Sequence, residues 1–428
     1  MKILIKNGYL VDPKANRNGL YDIIIDEGKV WEIGNNLEVS GGDIIDASGK
    51  YVLPGFVDAH CHLRDPGFEY KEDIESGTRS AAAGGFTSIA CMPNTNPPAD
   101  NEAVIKYILN KAKHEGVINV FPIGAISKGL KGEELSEIGE LKFAGAVAIS
   151  DDGRPVKSAS LMKKAMLYAS MFDITVISHC EDLELADEGV MNEGYYSTVM
   201  GLKGIPAAAE EVMVSRELIL SEYTGTPVHI AHVSTELSVE LIRNAKKRGV
   251  NVTAETCPHY FSLTDEACDG FNTLAKVNPP LRTKKDAAAI IEGLRDGTID
   301  IIATDHAPHH LDEKNVEFNI AANGIVGFET ALPLAVTYLV KPGHLTMEQL
   351  VHKLCVNPSK ILGLSKGSIE VGQAADITII DVNEVNTVNV AKFKSKSKNS
   401  PYDGFKLTGA VYYTIVNGKV VVREKVLL

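Results

Sequence analysis

The sequence predicts an α/β protein with a closed (β/α)8 barrel (a TIM barrel) and a small composite β-sandwich domain formed by both termini. Two observations predict the barrel: eight short apolar runs recur between Phe56 and Thr304, and helical patterns separate most of them. Continuous apolar runs bounded by polar, Gly or Pro residues are typical of strands buried on both faces. Eight such strands alternating with helices fit a barrel. An open doubly wound sheet is the alternative, but no G-x-G-x-x-G loop follows any of the runs.

The predicted barrel strands are β-branched, apolar runs that follow one another in chain order. They occupy residues 56–62, 87–92, 118–123, 144–150, 174–179, 228–232, 250–255 and 300–304. The clearest helical patterns between them occupy residues 101–115, 158–171, 207–223 and 236–248. This alternation supplies the crossover helices that parallel strands need.

Both ends of the chain have a different pattern, in which short strand-like pieces are separated by Gly-containing turns. The pieces are residues 2–6, 21–25, 29–33, 43–46 and 51–53, then 377–380, 410–416 and 420–422, with Asn417-Gly418 as a hairpin signal. Two terminal all-β segments that flank a barrel most simply pair with each other. We therefore divide the chain into the barrel, 55–366, and the two parts of the β domain, 1–54 and 367–428. Residues 392–400, with four lysines and three serines, are predicted to form a solvated loop.

Composition excludes several functional classes. Apolar residues make up 44% and charged residues 23% of the chain, as in ordinary globular enzymes. The formal charge of −13 disfavours binding to nucleic acid or to anionic lipid. No apolar run is long enough to span a membrane, and the first residues lack the features of a signal peptide. The cysteines form no C-x-x-C pair, which together with the missing signal peptide favours a reducing cytoplasm.

The strongest chemical signal lies in residues 58–64, Asp-Ala-His-Cys-His-Leu-Arg, at the end of the first predicted barrel strand. Residues i and i+2 of a strand point to the same face, so His60 and His62 can bind one metal ion. Cys61 between them is expected to face away and pack as a small hydrophobe. An isolated H-x-H pair occurs by chance, so the prediction depends on ligands from other strands.

Further candidate ligands follow the other predicted strands. They are Asp151 or Asp152 after the fourth strand, His179 at the end of the fifth, His232 at the end of the sixth and Asp305 after the eighth, which with His60 and His62 makes six. Barrel enzymes build their sites at these carboxyl ends. Nitrogen and oxygen donors without thiolate match catalytic rather than structural zinc. Six ligands exceed what one four-coordinate ion needs, which predicts two ions bridged by a carboxylate. Two such ions suit hydrolysis of amide-like bonds, or the reverse condensation.

These motifs together resemble the amidohydrolase superfamily and, more narrowly, the class I dihydroorotases. The resemblance covers nearly the whole chain in order. It is carried by P-G-F-V-D-x-H-x-H-L-R-x-P-G (54–67), M-P-N-T (92–95), D-D-G (151–153), H-C-E (179–181), D-H-A-P-H (305–309) and G-S-I-E-V-G (367–372) with A-D (375–376). The arginine after H-x-H-L, together with D-H-A-P-H, is specific to the dihydroorotase branch.

The resemblance implies a ligand set. His60 and His62 would bind one zinc ion, His179 and His232 a second, and Asp305 would contact the first and act as general base and acid. Many relatives bridge their metals with a carboxylated lysine, but residues 143–153 contain none. Class I dihydroorotases use an aspartate there. By position we assign the bridge to Asp152, with Asp151 as the alternative because neighbouring strand residues face opposite ways.

The resemblance also implies a substrate, the cyclic ureide dihydroorotate, which carries a free carboxylate. Arg64 would bind that carboxylate through its planar guanidinium. The other implied substrate contacts are His62, Asn94, Asn278, His309, Asn323 and Gly324. Asn323 stands where the family commonly has an aromatic residue, which would remove packing against the ring but preserve backbone contact. Residues 306–318 resemble the family's mobile loop.

Several residues have a simpler alternative. Asp305 could cap a helix, Arg64 could form a surface salt bridge, Asn278 could be a turn residue before proline, and His309 could be an ordinary loop histidine.

The leading hypothesis is reversible, zinc-dependent closure of N-carbamoyl-L-aspartate to L-dihydroorotate in pyrimidine synthesis. The first alternative is a cyclic amidase of the hydantoinase or allantoinase type, whose substrates lack that carboxylate. The second is an inactive homologue that serves as a structural partner, a class that typically loses metal ligands retained here. The family also leads us to expect a homodimer and an association with aspartate transcarbamoylase.

Overall fold

The computed structural model describes residues 2–428, and its centre is an eight-stranded parallel sheet that matches the predicted barrel. The barrel strands are β6 (Phe56–Cys61), β7 (Phe86–Cys91), β8 (Asn119–Gly124), β9 (Ala148–Ser150), β10 (Thr175–Ser178), β13 (Val228–Ile230), β14 (Val252–Thr256) and β15 (Ile301–Ile302). They pair in chain order from β6 to β15. The barrel prediction is confirmed.

The sheet closes on itself between its first and last strands. His62 N donates to His306 O at 2.8 Å and Asp305 N donates to His60 O at 3.0 Å, so the segment after β15 pairs with the end of β6. Closure removes both edges of the sheet. It also places the chain that follows β15 beside the H-x-H pair.

Helices cover the barrel between and after the strands. They are α1 (Ile74–Ala83), α2 (Glu102–Glu115), α3 (Ile138–Ala144), α4 (Ala159–Ser170), α5 (Leu183–Ala186), α6 (Tyr195–Met200), α7 (Ala208–Thr224), α8 (Glu236–Lys247), α9 (Pro258–Ser262), α10 (Lys284–Asp296), α11 (Leu311–Lys314), α12 (Phe328–Ala335), α13 (Met347–Val351) and α14 (Asn357–Ile361). A two-stranded ladder, β11 (Met191–Asn192) with β12 (Gly204–Ile205), lies in the loop after α5.

The termini form a second sheet, as predicted. Its strands are β1 (Ile3–Asp12), β2 (Arg17–Asp26), β3 (Lys29–Gly34), β4 (Asp43–Asp46), β5 (Tyr51–Pro54), β16 (Ile377–Thr387), β17 (Lys406–Val416), β18 (Lys419–Arg423) and β19 (Val426–Leu427). The two ends of the chain meet where β5 pairs antiparallel with β16. Isoleucines from both ends, among them Ile5, Ile23, Ile377 and Ile415, share one buried core, which makes the β-sandwich a composite of the two termini. The division at 54/55 and 366/367 remains our proposal.

Several predicted strands differ from the structure in their bounds: β2, β16 and β17 are longer than predicted, and two further cases have an identifiable cause. The fourth barrel strand begins at Ala148 rather than 144, because α3 continues to Ala144 and ends at Gly145 in a left-handed conformation (φ 116°). At the N-terminus, β1 extends to Asp12, because a bulge between Ile5 and Gly8 interrupts the alternation that the sequence pattern relied on.

The prediction of a solvated loop at residues 392–400 is confirmed for Lys392, Lys394 and Lys396, which are exposed, but it is wrong for the other polar residues. Ser395, Ser397, Asn399 and Ser400 are almost fully buried. Three of these side chains bond to the barrel: Ser395 Oγ donates to Glu72, Ser397 Oγ donates to Lys71 O, and Asn399 Nδ2 donates to the loops that follow β15. Lysine and serine content predicts exposure only when the backbone and hydroxyl groups find no partner inside the protein.

All six cysteines are free and buried, and Cys61 Sγ donates to Ala90 O at 3.3 Å, away from the neighbouring imidazoles. Within residues 2–428, no helix combines the length and the apolar character that a membrane crossing requires.

Replacing Phe86 by alanine should lower the free energy of unfolding by about 3–5 kcal/mol, the usual cost of removing a buried phenylalanine. Phe86 is fully buried between Phe56 and Phe328, with ring centroids 5.7 and 5.6 Å away. Denaturant unfolding measures the loss. Phe143→Ala is the matched control, because Phe143 is 82% exposed. Equal unfolding midpoints for the two variants would contradict the assignment of this core.

Candidate active site

A cavity of about 230 Å³ lies at the carboxyl ends of the barrel strands. Its lining includes every predicted site residue except His60: His62, Arg64, Asn94, Asp152, His179, His232, Asn278, Asp305, His309, Asn323 and Gly324. His60 lies fully buried beside it. Residues that lie up to 262 positions apart in the sequence, from His62 to Gly324, therefore line one cavity. Closure of the barrel brings them together.

The first group of candidate ligands is His60, His62 and Asp305, whose donor atoms all lie within 4.8 Å of one another. Asp305 Oδ1 is 3.1 Å from His62 Nε2 and 3.6 Å from His60 Nε2. Both imidazoles present the same ring nitrogen, Nε2, to this carboxylate. His60 and His62, two residues apart at the end of β6, therefore face the same carboxylate, as their spacing predicted.

The second group surrounds Asp152. Its Oδ1 lies 3.4 Å from His60 Nε2, 3.5 Å from His179 Nδ1 and 3.4 Å from His232 Nε2, while Oδ2 lies 3.5 Å from His62 Nε2. One carboxylate therefore faces all four imidazoles. Asp151 faces the other way, where Ile126 N and Ser127 N donate to it at 2.8 and 3.1 Å.

The residues present fit divalent metal ions. Among the atoms of residues 2–428, His60 Nε2 and Asp152 Oδ1 are buried without a hydrogen-bond partner. Buried polar atoms are normally paired, so two such atoms that lie 3.4 Å apart without a hydrogen-bond partner indicate a ligand. Four imidazoles and two carboxylates, without thiolate, are a donor set of catalytic rather than structural metal sites.

Charge interactions shift the pKa values of these groups. Burial alone would raise the pKa of Asp152, but the imidazoles of His60, His179 and His232 hold it well below its usual range. Burial would lower the pKa of His179, but Asp152 and Glu181 raise it to about 10. The site therefore carries an excess of negative charge that protons or a cation must balance.

Three of the four ligand imidazoles, those of His60, His62 and His179, contact a polar side chain through the ring nitrogen that faces away from Asp152. His60 Nδ1 lies 2.5 Å from Glu255 Oε1, and His179 Nε2 lies 3.2 Å from Glu181 Oε2. His62 Nδ1 lies 2.9 Å from Asn94 Oδ1. Such contacts fix the ring orientation and raise the basicity of the coordinating nitrogen.

Sequence reasoning missed the role of Glu255. Glu255 lies on β14 and also contacts His229 Nε2 at 3.1 Å. It ends the seventh predicted strand, so a search for carboxylates at every strand end would have found it. Asn278 was predicted to contact substrate, and its Nδ2 donates to Glu181 at 3.1 Å while its Oδ1 is buried without a partner among the described residues.

Three site residues have strained backbones. His232 (φ 32°), Asp305 (φ 45°) and Arg64 (φ 62°) adopt left-handed conformations that residues with a side chain rarely occupy. Such strain persists only where the surrounding structure determines the conformation, and it concentrates at functional sites.

Arg64 and His309 form the cationic end of the cavity. Arg64 Nε donates to Pro308 O at 3.1 Å, and its Nη2 lies 3.2 Å from His309 Nε2. Burial, together with the charges of Arg64 and Lys71, lowers the pKa of His309, so its ring is neutral. Arg64 is therefore the main positive charge in the cavity lining that an anion could contact.

The loop after Asp305 contributes Ala307 and His309 to the cavity lining. Gly324 has φ +141°, and a Cβ there would lie 2.7 Å from Ala307 Cβ, so only glycine fits. Lys314 is buried in the same loop and donates to Lys276 O and Ala322 O at 3.1 and 2.7 Å. Mobility of residues 306–318 stays a prediction.

Comparison with known proteins gives matches along the whole chain. A family model described as "Dihydro-orotase-like" matches residues 49–238, and an "Amidohydrolase family" model matches residues 312–422. A dihydroorotase from Acetivibrio thermocellus is 77% identical over 426 residues, and one from Ruminiclostridium cellulolyticum is 71% identical over 428; each alignment covers 100% of both chains. A dihydroorotase from Trichlorobacter lovleyi is 58% identical over 422 residues, 98% of this chain and 99% of the relative.

Solved structures share the fold of the whole chain. An L-hydantoinase (dihydropyrimidinase) from Arthrobacter aurescens superposes with a TM-score of 0.89 at 28% identity, over 100% of this chain and 97% of that one. A dihydropyrimidinase from Brevibacillus agri superposes with a TM-score of 0.88 at 26% identity, over 100% and 96%.

Replacing Glu255 by glutamine should weaken divalent-metal binding by about 10- to 100-fold, the usual cost of losing a partner that holds a ligand histidine. Competition with a chromophoric chelator measures the affinity. Glu217→Gln is the matched control, because Glu217 is equally buried but contacts Arg216 and Ser178. Equal metal affinities for the two variants would show that Glu255 does not support His60 as a ligand.

Proposed function

Because the chain belongs to the dihydroorotase family of amidohydrolases, we propose that it interconverts N-carbamoyl-L-aspartate and L-dihydroorotate with two zinc ions. It is a hydrolase that acts on a cyclic amide. The observation that carries the proposal is one small cavity that holds both the imidazole–carboxylate cluster and Arg64. At about 230 Å³ it lies below the usual range for drug-sized ligands, which suits a single six-membered ring.

We assign the metal ligands by proximity and donor type. His60, His62 and Asp305 would hold one ion, His179 and His232 the other, and Asp152, which faces all four imidazoles, would lie between them. Nitrogen and oxygen donors without thiolate favour zinc in a catalytic role. The ions, when bound, would supply Lewis acidity that polarises the substrate carbonyl and makes water a stronger nucleophile.

Asp305 is our proposed general base and acid. It is buried, which raises the pKa of its carboxyl, but His62, His60 and His232 outweigh burial and keep that pKa below its usual value. A carboxylate can therefore accept the proton of the attacking water and return it to the leaving ring nitrogen. Its backbone N donates to His60 O, which fixes the carboxylate beside the ligand cluster.

Arg64 is our proposed partner for the substrate carboxylate. Its guanidinium lines the cavity and already contacts His309, so its direction is set before substrate binds. A planar guanidinium offers two parallel hydrogen bonds to a carboxylate. Asn94, Asn278, His309, Asn323 and Gly324 line the same cavity and would contact the rest of the ring.

A hydantoinase-type cyclic amidase is the second candidate, because solved hydantoinases share this fold. Arg64 argues against it, since those substrates lack the carboxylate that Arg64 would bind. The absence of lysine from residues 143–153 argues in the same direction. Purified, zinc-loaded protein should convert dihydroorotate; brisk cleavage of hydantoin without any turnover of dihydroorotate would overturn the assignment.

We further propose a cytoplasmic homodimer that associates with aspartate transcarbamoylase. Six free, buried cysteines support the cytoplasmic location. The family resemblance supports the assembly, and light scattering with and without the transcarbamoylase tests it.

Replacing Arg64 by alanine should lower kcat/KM for dihydroorotate by about 100-fold, mainly through KM, since a hydrogen bond between charged groups contributes about 1.5–3 kcal/mol. Arg64→Lys should recover little, because an ammonium group cannot give the paired contact. Steady-state kinetics at saturating zinc measure both. Arg243→Ala, which removes an ion pair between Arg243 on α8 and Asp296 on α10, is the control. Unchanged KM in Arg64→Ala would exclude the carboxylate contact.

The equilibrium between the two compounds should depend on pH. Ring opening creates a second carboxyl group, which ionises above about pH 5 and releases one proton. The ratio of N-carbamoyl-L-aspartate to dihydroorotate should therefore rise about tenfold per pH unit, so alkaline pH favours hydrolysis and acid pH favours closure. Chromatography of mixtures equilibrated with the protein measures this ratio. A ratio independent of pH would mean that a different bond is being broken.

A further inference from the structure

The segment 393–400, here called the strap, connects the C-terminal part of the β domain to the rim of the active-site cavity. It lies between β16 and β17 in sequence, yet four of its side chains are buried: Ser395, Ser397, Asn399 and Ser400. A polar, lysine-rich segment is buried only where its groups find partners. The partners of Asn399 belong to the site.

Asn399 joins two separate loops of the rim. Its side-chain Nδ2 donates to Ala307 O and to Gly324 O, both at 3.0 Å, and His309 N donates to its Oδ1 at 3.0 Å. Val326 N also donates to its backbone O at 2.9 Å. Asn399 alone thus forms hydrogen bonds with backbone groups of two segments, one that follows β15 and one that precedes α12.

An asparagine is chemically specific for this position. Two donors and one acceptor are needed at once, and a side-chain amide supplies both kinds. Aspartate would direct a charged oxygen at two carbonyl oxygens. Alanine would leave three backbone groups without this partner, and unpaired buried groups are costly.

The loop that Asn399 holds also orients Arg64. Pro308 O accepts from Arg64 Nε, and His309 Nε2 accepts from Arg64 Nη2. Asn399 bonds to the residues on either side of Pro308, namely Ala307 and His309. Displacement of this loop would therefore move both acceptors of the guanidinium.

We propose that Asn399 is a positioning residue for the anionic end of the substrate. It holds His309 and Gly324 at a fixed separation and thereby fixes the direction of Arg64. Asn399 acts through these residues and does not touch the ring itself. The inference rests on the proposed function, since it assumes that Arg64 binds the substrate carboxylate. It assigns part of substrate specificity to the C-terminal part of the β domain.

The test compares Asn399→Ala and Asn399→Asp with the unaltered protein at full zinc loading. We expect KM for dihydroorotate to rise at least about tenfold while kcat changes less than about threefold, because a misplaced binding group weakens binding before it affects bond breaking. The dissociation constant of orotate, a carboxylated ring that is not hydrolysed, should rise in parallel by calorimetry. Asn399→Asp should be no better than Asn399→Ala.

Thr337→Val is the matched control. Thr337 Oγ1 accepts from Thr408 N at 2.8 Å and so also ties the barrel to the C-terminal part of the β domain, but among the described residues neither threonine bonds to Ala307, His309 or Arg64. It should lose comparable stability without any change in KM or in orotate binding. If Asn399→Ala leaves KM and orotate binding unchanged, or if it loses zinc and kcat together, the positioning role is wrong.

The same experiment separates this inference from the proposed function. If the unaltered protein does not interconvert dihydroorotate and N-carbamoyl-L-aspartate, the proposed function fails and the inference fails with it. If the unaltered protein interconverts the two compounds, but the Asn399 variants have the same KM and orotate affinity as Thr337→Val, the proposed function stands and the inference alone is overturned.

Discussion

The structure of the site depends on the charge balance around Asp152. Its buried carboxylate faces His60, His62, His179 and His232, each within 3.4–3.5 Å of one of its oxygens. Charges removed from water are tolerated only where opposite charge or a metal compensates them. Four imidazoles from three strand ends can meet one carboxylate only if the parallel strands close into a barrel. Closure of the barrel therefore brings the imidazoles to Asp152, and the imidazoles or a metal ion compensate the charge of its buried carboxylate.

Precision in the site comes from groups that never reach the cavity. Glu255 holds His60 from behind, and Glu181 holds His179. The backbones of His232 and Asp305 are left-handed, and both are bonded to neighbouring strands: Asp305 N donates to His60 O at 3.0 Å and His232 N donates to Glu255 Oε1 at 3.4 Å. Conformations that an isolated peptide would rarely adopt are thus imposed by packing, and they direct the side chains toward a common point.

Substrate choice is separable from the barrel itself. Solved hydantoinases share the fold with curated dihydroorotases that resemble this chain, so the fold alone does not set the substrate. We propose that in this chain Arg64 and the loop that carries His309 select a substrate with a carboxylate. That loop is bonded to Asn399, so the C-terminal part of the β domain contributes to a rim that the barrel alone would leave less constrained.

The sequence by itself determined the barrel, the composite β domain and the predicted ligand set, because apolar periodicity and residue type at strand ends are local properties of the chain. The residues alone did not show whether Asp151 or Asp152 points toward the imidazoles, because that direction depends on how β9 lies in the closed sheet. The sequence also missed Glu255 as a support for His60 and misjudged the buried polar residues of 392–400. Only the tertiary structure decided these points, because burial and hydrogen-bond partners arise from contacts between segments such as 305–309 and Asn399 that are distant in sequence.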